Sequence, residues 1–555
     1  MRALVSAQVI AGVCAMRCAR AVGLSLLLVA ACATPRLGDK ELPPRPPSLR
    51  AAFEQMPAPA SARLRILSDN VDAWVARWRL IESAHHTVDV QYFIVEPDAF
   101  GMSLLGLLCE KASAGVKVRL MVDSRGTAAL SRTWMGADWL QELVRAGADV
   151  RIYNPLEHNL ADALASGDLR AVTASNHDKL ILVDRQAAIA GGRNISRDYL
   201  SDTRDHPSAF IDMDVFIEGD RAVRALGEAF TSELRGPKTK KVGRDAGTDD
   251  RDGLMLAAAA MRLWLKDPAF TDDELAALDS DEKRDALALV YEGNAVGALD
   301  HIPTDKTREL AREVTRQLAR LPHLRGALHR PVPPISVEGE HVRVLDTHSS
   351  WGPTQRNRVN ENLLAAVQAA EREVVIQSPY FVLTERGIRA LREAAARGVA
   401  VIILTNSPTS SDSPITQAAF LKQWPRLLAE IPTARLFVVG EKRLMHAKVG
   451  VMDGVLAFVG SYNLDPLSAG VNGEVVAAVW SEAFAAAERA LIVGKTEELP
   501  PNVFEYTIER RPDGSPVLEG GAPKVRFGPD QHCDPAAIAK VRKLEPLLEL
   551  LAPII

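Results

Sequence analysis

The chain has 555 residues, 47% of them hydrophobic and 25% charged, with a formal net charge of −5. That length calls for more than one domain core, and that balance excludes a disordered or fibrous chain. A dedicated nucleic-acid binder carries a basic excess, so the charge argues against one while leaving room for a local basic pocket.

At the N-terminus, Arg17 and Arg20 precede an apolar run, residues 21–31, that ends at Cys32. The run is too short to span a bilayer but suits the hydrophobic region of a signal peptide behind a positive flank. Residues 1–15 fit poorly ahead of those arginines, which makes Met16 the better start. Val29-Ala30-Ala31-Cys32 has the pattern at which a bacterial lipoprotein is cleaved and its cysteine acylated. An ordinary cleaved signal or an uncleaved anchor is the alternative. Residues 33–60, Pro-rich in PRLGDKELPPRPPSLR, read as a tether. The other cysteines, Cys14, Cys18, Cys109 and Cys533, have no metal-type spacing and form no disulfide framework. Cys109, in SLLGLLCEKA, reads as part of a buried helix face.

Two similar stretches follow. In residues 61–235, VDVQYFIV (88–95) reads as a strand, residues 101–114 as a helix and VKVRLMVD (116–123) as a second strand. In residues 336–500 the order returns, with EVVIQSPYF (373–381), a helix over 385–397 and VAVIILTNS (399–407). Alternating strands and helices predict an α/β fold, and the repetition predicts two similar halves. Residues 236–335 read as a helical connector that opens on an exposed polar loop, GPKTKKVGRDAGTDDRDG. Residues 501–555 form a C-terminal extension. Its end, KVRKLEPLLELLAPII, suits either a membrane interface or a terminal helix packed on the core.

Each half carries His-x-Lys-x4-Asp, as His177, Lys179 and Asp184, then as His446, Lys448 and Asp453. Gly191-Gly192 and Gly460-Ser461 stand 14 and 15 positions after their histidines, and Asn194 and Asn463 stand 17 after. One copy would be weak evidence, whereas two in register are strong. Both stretches read as hairpins, with Asp453-Gly454 a favoured turn pair. His and Lys two apart on a strand share a face. Asp184 and Asp453 fall where the turns begin, which points to a structural part. A pocket of His, Lys and Asn suits a phosphoryl group, with Lys and amide donors on its oxygens and His attacking or moving protons. Such a histidine needs an orienting acid. Asp212 in FIDMDVFIEG and Glu474 in NGEVVAAVW supply one per half, Asp212 being preferred over Asp214. A lone histidine is more often a satisfied core residue, and His85, His86, His158 and His206 are read so. The matched sets lift His177 and His446 out of that class, and their completeness argues against decayed sites.

These motifs resemble the HKD motifs of the phospholipase D superfamily, over nearly the whole mature chain apart from the helical connector. Within it, WRLIESAHHTVDVQYFIVEPDAFG, IILTNSPTSSD and GSYNLDPLSAGVNGE resemble the bacterial cardiolipin synthases, particularly their type C group. The resemblance implies a pseudo-twofold bilobal α/β fold with both motifs at one central cleft. It also implies ping-pong transfer through a phosphohistidine with no metal and no cofactor. Its catalytic set is His177, Lys179, Asp184, His446, Lys448, Asp453, Asp212 and Glu474. His177 is the implied nucleophile and His446 the acid, with Asn194, Asn463 and Ser461 beside the phosphate. Whether Asp212 and Glu474 orient histidines within or across halves stays open. The connector does not resemble the type C group. Ala33 after Cys32 points to the outer membrane, in tension with cardiolipin synthesis at the inner one.

The reading that results is a membrane-anchored lipoprotein of the bacterial envelope, facing the periplasm. It acts on phosphatidylglycerol, with phosphatidylethanolamine a second candidate substrate, and has no nucleic-acid partner. The rivals are a phospholipase D hydrolase, a nuclease-type phosphodiesterase and a membrane-tethered binding module without activity.

Overall fold

A computed structural model describes residues 41–57, 59–130, 138–166, 170–243, 251–299, 303–332, 337–349, 357–497 and 502–548. The signal-like run, Cys32 and the last apolar residues of the chain lie outside them.

The first half supplies β1 (Pro59–Leu67), β2 (Thr87–Tyr92), β3 (Lys117–Asp123), β4 (Asp149–Tyr153), β5 (Lys179–Val183), β6 (Ala187–Gly191), β7 (Asp214–Glu218) and β8 (Thr239–Lys241). The second supplies β9 (Val337–Thr347), β10 (Glu373–Gln377), β11 (Ala400–Asn406), β12 (Ala434–Val439), β13 (Val449–Met452), β14 (Leu456–Gly460), β15 (Glu474–Trp480) and β16 (Val503–Ile508). Hydrogen bonding runs β8-β4-β3-β2-β5-β6-β7-β1, then crosses to β9-β15-β14-β13-β10-β11-β12-β16. The two lists mirror each other about the antiparallel β1–β9 pair, so the predicted duplication is a pseudo-twofold arrangement.

Within each half one run of three strands is parallel, β2-β3-β4 and β10-β11-β12, and the remaining pairings are antiparallel. Parallel neighbours need a crossover, supplied by helices such as Ala99–Ser113 and Trp139–Ala146. The β5–β6 and β13–β14 hairpins are buried on both faces. By the period-two rule, Ile181 and Val183 enter the core of the first half, while Leu180 and Leu182 enter a core shared with Val449, Val451 and Val459 of the second. That shared core holds the halves face to face.

Both hairpins turn through residues at positive φ, Asp184 and Arg185 at 51° and 59°, Asp453 and Gly454 at 52° and 66°. Type I′ turns need that conformation at both central positions. Asp184 accepts the backbone N–H groups of His85, His86 and Thr87 at 2.8, 2.8 and 2.7 Å. Asp453 likewise takes those of Glu371, Arg372 and Glu373 at 3.0, 2.8 and 3.0 Å. Each motif aspartate thus pins its turn to the entry of a neighbouring strand, at the far end of the hairpin from the histidine. They leave the catalytic set that the resemblance implied and keep the structural part that their position suggested.

Several boundaries move. The packed chain begins within the expected tether, because helix Leu49–Glu54 lays Phe53 against Trp480 at 5.5 Å between ring centroids. β8 extends the first half into the connector, and β16 brings part of the C-terminal extension into the second sheet. The connector is helical, as predicted. Its helix Arg251–Lys266 packs on helix Ala99–Ser113, where a Cβ on Gly106 would stand 1.9 Å from the Leu254 carbonyl oxygen. Cys109 is buried in that helix, and burial pushes its thiol up to about 12. In the terminal segment, Val541 and Leu548 pack with Ala418 on the core. Among the described residues no helix is long and apolar enough to cross a membrane.

Asp453→Ala leaves these backbone donors without their acceptor and costs about 2–3 kcal/mol of stability. Denaturant unfolding of the variant measures it. A midpoint equal to that of the unsubstituted protein would deny Asp453 its pinning role.

Candidate active site

Spacing alone puts His177 and Lys179 on one hairpin and His446 and Lys448 on the other, but the shared core brings the hairpins together. The seam is stitched by backbone. His177 N–H donates to the Gly473 carbonyl at 2.9 Å, and His446 N–H donates to the Ile211 carbonyl at 2.6 Å. Gly473 and Ile211 immediately precede Glu474 and Asp212, so each bridge sets a histidine beside the carboxylate of the other half.

The side chains follow. His446 Nδ1 lies 2.7 Å from Asp212 Oδ2, and His177 Nδ1 lies 3.2 Å from Glu474 Oε2 and 3.0 Å from the Ser461 carbonyl oxygen. A carbonyl only accepts, so His177 carries its proton on Nδ1 and keeps the Nε2 lone pair. Orientation therefore runs across the halves in both cases. Asp214, the competitor of Asp212, is committed to Arg77 and Arg193 at 2.9 Å each.

The glycines of the motif have steric work. A Cβ on Gly192 would meet Asp212 Oδ1 at 2.1 Å, and one on Gly460 would meet the Val475 carbonyl oxygen at 2.3 Å. Ser461 stands where the first half has Gly192, and its hydroxyl donates to Glu474 Oε2 at 2.5 Å. Ser468 donates to the other oxygen at 2.6 Å. Asn194 has a bracing position, accepting from Ile94 N–H and donating to the Tyr199 hydroxyl, both at 3.0 Å. Asn463 is buried, with Oδ1 lacking a hydrogen-bond partner among the described residues.

The residue match that decides the family covers 78–233 and 363–491, both halves without the connector, and its description is "Cardiolipin synthase, PLD-like domain". The chain belongs to the phospholipase D-like family. It is 26% identical over 446 residues to cardiolipin synthase C of Escherichia coli K12, covering 77% of this chain and 83% of that one. It is 22% identical over 428 residues to a probable cardiolipin synthase of Bacillus subtilis, covering 77% of this chain and 64% of that one. A solved phosphatidylserine synthase of Haemophilus influenzae shares the fold, with TM-score 0.55 and 13% identity, covering 91% of this chain and 99% of that one.

In this phospholipase D-like site, burial tunes every group. Burial, then Lys179 and Lys448, lowers His177 well below the usual imidazole range. Burial and Lys448 lower His446 to about 4 against the pull of Asp212. Burial works to raise Asp212, yet His446, Lys448 and Arg193 outweigh it and keep the carboxyl ionised, at about 2. Glu474, more weakly paired, is raised by burial to about 7. Burial also lowers Lys179 to about 7 and Lys448 to about 8. Two buried lysines beside two neutral imidazoles make a ready site for an anion.

Aromatic walls complete it. Phe93 meets His177 edge-on at 5.1 Å, and Tyr199 meets His446 at 5.1 Å, with Phe210 and Tyr380 beyond. Phe93 and Tyr380 fall in the stretches VDVQYFIV and EVVIQSPYF read as strands from the sequence, just past the ends of β2 and β10. Arg193, Tyr199 and Phe210 carried no such signal. A second group also went unseen, Glu233, Asp346 and His348, whose ligand-type atoms lie within 4.8 Å of one another although no metal spacing links them in sequence.

A lysine holds an anion as ammonium, below its pKa, and loses that hold above it. Affinity for sulfate, which does not titrate here, is expected to fall as pH rises through about 7 to 8. Calorimetry from pH 6 to 9 checks this, and a flat profile would remove the lysines from the anion site.

Proposed function

We propose that this phospholipase D-type phosphatidyltransferase joins phospholipids into cardiolipin or a related lipid, by ping-pong transfer through a phosphohistidine on His177. The observation that carries the reading is the crossed pairing, which orients both imidazoles across the seam with Lys179 and Lys448 buried beside them. Resemblance to cardiolipin synthases in both halves supports the lipid chemistry.

His177 suits the nucleophile. Its Nδ1 is committed to two acceptors, and among the described residues no protein hydrogen bond reaches its Nε2. His446 suits the proton carrier. It is neutral in the empty site and takes up a proton from solvent when the bound phosphodiester anion offsets the charge of Lys448, with Asp212 at 2.7 Å to hold the imidazolium; its Nε2 already has the Tyr199 hydroxyl at 3.4 Å and Lys448 Nζ at 3.1 Å. In the first step His177 Nε2 attacks phosphorus, the P–O bond to the departing alcohol breaks, and protonated His446 gives that oxygen its proton. In the second step the acceptor hydroxyl returns a proton to His446 and attacks, breaking the P–N bond. Lys179 and Lys448 hold the non-bridging oxygens, where charge builds in both steps. Asp212 and Glu474 position the rings. No step calls on a metal or cofactor.

Purified protein in mixed micelles with labelled phosphatidylglycerol, with and without phosphatidylethanolamine, is expected to form cardiolipin. His177→Ala and His446→Ala lower turnover by about 10³-fold or more, the usual effect of losing a member of a catalytic unit. Phosphatidic acid as the sole product would make water the acceptor and the protein a hydrolase. Oligonucleotide cleavage without lipid turnover would favour the nuclease reading.

The lipoprotein-like pattern at Cys32 supports an envelope location, with the folded body tethered at a membrane surface. Cys32→Ser is expected to release the protein from membranes while activity in detergent persists. Sedimentation of that variant with membranes would transfer the anchoring to another segment.

A further inference from the structure

Beside the catalytic seam lies a second cluster of acids, independent of the function proposed above. Glu233 closes the helix Asp220–Leu234 of the first half, while Asp346 and His348 stand at the end of β9 of the second. Ligand-type atoms of all three lie within 4.8 Å of one another. Glu233 Oε2 is held by Gln91 Nε2 at 2.5 Å and Asn176 Nδ2 at 2.7 Å. Its other oxygen, Oε1, is different. Glu233 is 2% exposed, and Oε1 has no hydrogen-bond partner among the described residues.

That oxygen points toward the second half. A Cβ on Gly473 would lie 3.2 Å from it, 3.3 Å from Ser349 N and 3.4 Å from the Thr347 carbonyl oxygen, which places it against the end of β9. Asp346 Oδ1 and Asp178 Oδ1 likewise lack partners among the described residues. Gln91 Nε2 reaches Asp178 Oδ2 at 2.9 Å, so these carboxylates share one buried neighbourhood. His348 reaches the same neighbourhood, with its Nε2 3.2 Å from Asp346 Oδ2. Buried carboxylate oxygens without donors are costly unless a proton or a cation meets them.

We propose that Glu233, Asp346 and His348 form a divalent transition-metal site, suited to Zn²⁺ or Mn²⁺, that staples the two halves together beside the catalytic seam. Two carboxylate oxygens and one imidazole nitrogen are a ligand set for such an ion, with water completing the coordination. The amides holding Glu233 act as the outer partners that orient a metal ligand. Asn176 adjoins His177, and Gly473 adjoins Glu474, so the ion braces the seam without entering the reaction.

The test uses the purified full chain, stripped with a chelator and titrated with Zn²⁺ by calorimetry and thermal unfolding. One saturable Zn²⁺ per chain is expected, with a rise in Tm and turnover unchanged at temperatures well below it. His348→Ala removes a ligand whose side chain is 43% exposed, so the fold survives, and it is expected to weaken binding about tenfold or more and remove most of the Tm rise. Glu233→Gln should do the same where it folds. Absence of saturable binding would overturn the site and leave protons as the occupants of the carboxylates. Equal affinity in His348→Ala would also overturn it, by placing the ion elsewhere, and loss of turnover on loading would point to the catalytic histidines.

Discussion

Each histidine of the cleft takes its orientation from the half that does not carry it. His177 N–H is held by Gly473 and its ring faces Glu474, while His446 N–H is held by Ile211 and its ring faces Asp212. A half on its own has a histidine without an orienting acid and an acid without a histidine. The shared core under the two hairpins, the β1–β9 pairing and the glycines that let strands approach all serve to bring those partners together. Duplication here is not two sites but one site divided between two copies.

The pseudo-symmetry is broken where chemistry needs two roles. In the first half, Gly192 makes room for Asp212, which grips His446 closely. In the second, Ser461 occupies the matching place, and its hydroxyl with that of Ser468 shares Glu474 with His177. A carboxylate that is divided between hydroxyls and a ring holds imidazolium less strongly than one committed to the ring. Small differences in a repeated motif thus give the two imidazoles unlike partners, although both sit on equivalent strands.

Away from the cleft the fold is permissive. The connector helices bury their apolar faces in the core around helix Ala99–Ser113 and add no residue to the histidine–carboxylate pairs, which is why a region without motif content can sit between two matched halves. The acids at Glu233, Asp346 and Asp178 are the contrast. They lie against the seam, where buried carboxyl groups bear directly on how the halves meet.

The sequence by itself determined what local geometry controls. Strand runs and the Asp453-Gly454 turn pair marked the hairpins, the repeated spacing identified the histidines, lysines and asparagines, and the position of Asp184 and Asp453 at turns pointed to a structural part. Family resemblance extended this to the bilobal fold and the phosphate chemistry. Only the tertiary structure decided the crossed pairing, because Glu474 is 297 positions from His177 and His446 is 234 from Asp212. It alone committed Asp214 to Arg77 and Arg193, set Tyr199 beside His446, and joined Glu233 to Asp346 and His348. Periodicity reports which face of its own element a residue occupies. Which distant element covers that face depends on how two cores pack together, and no local pattern encodes it.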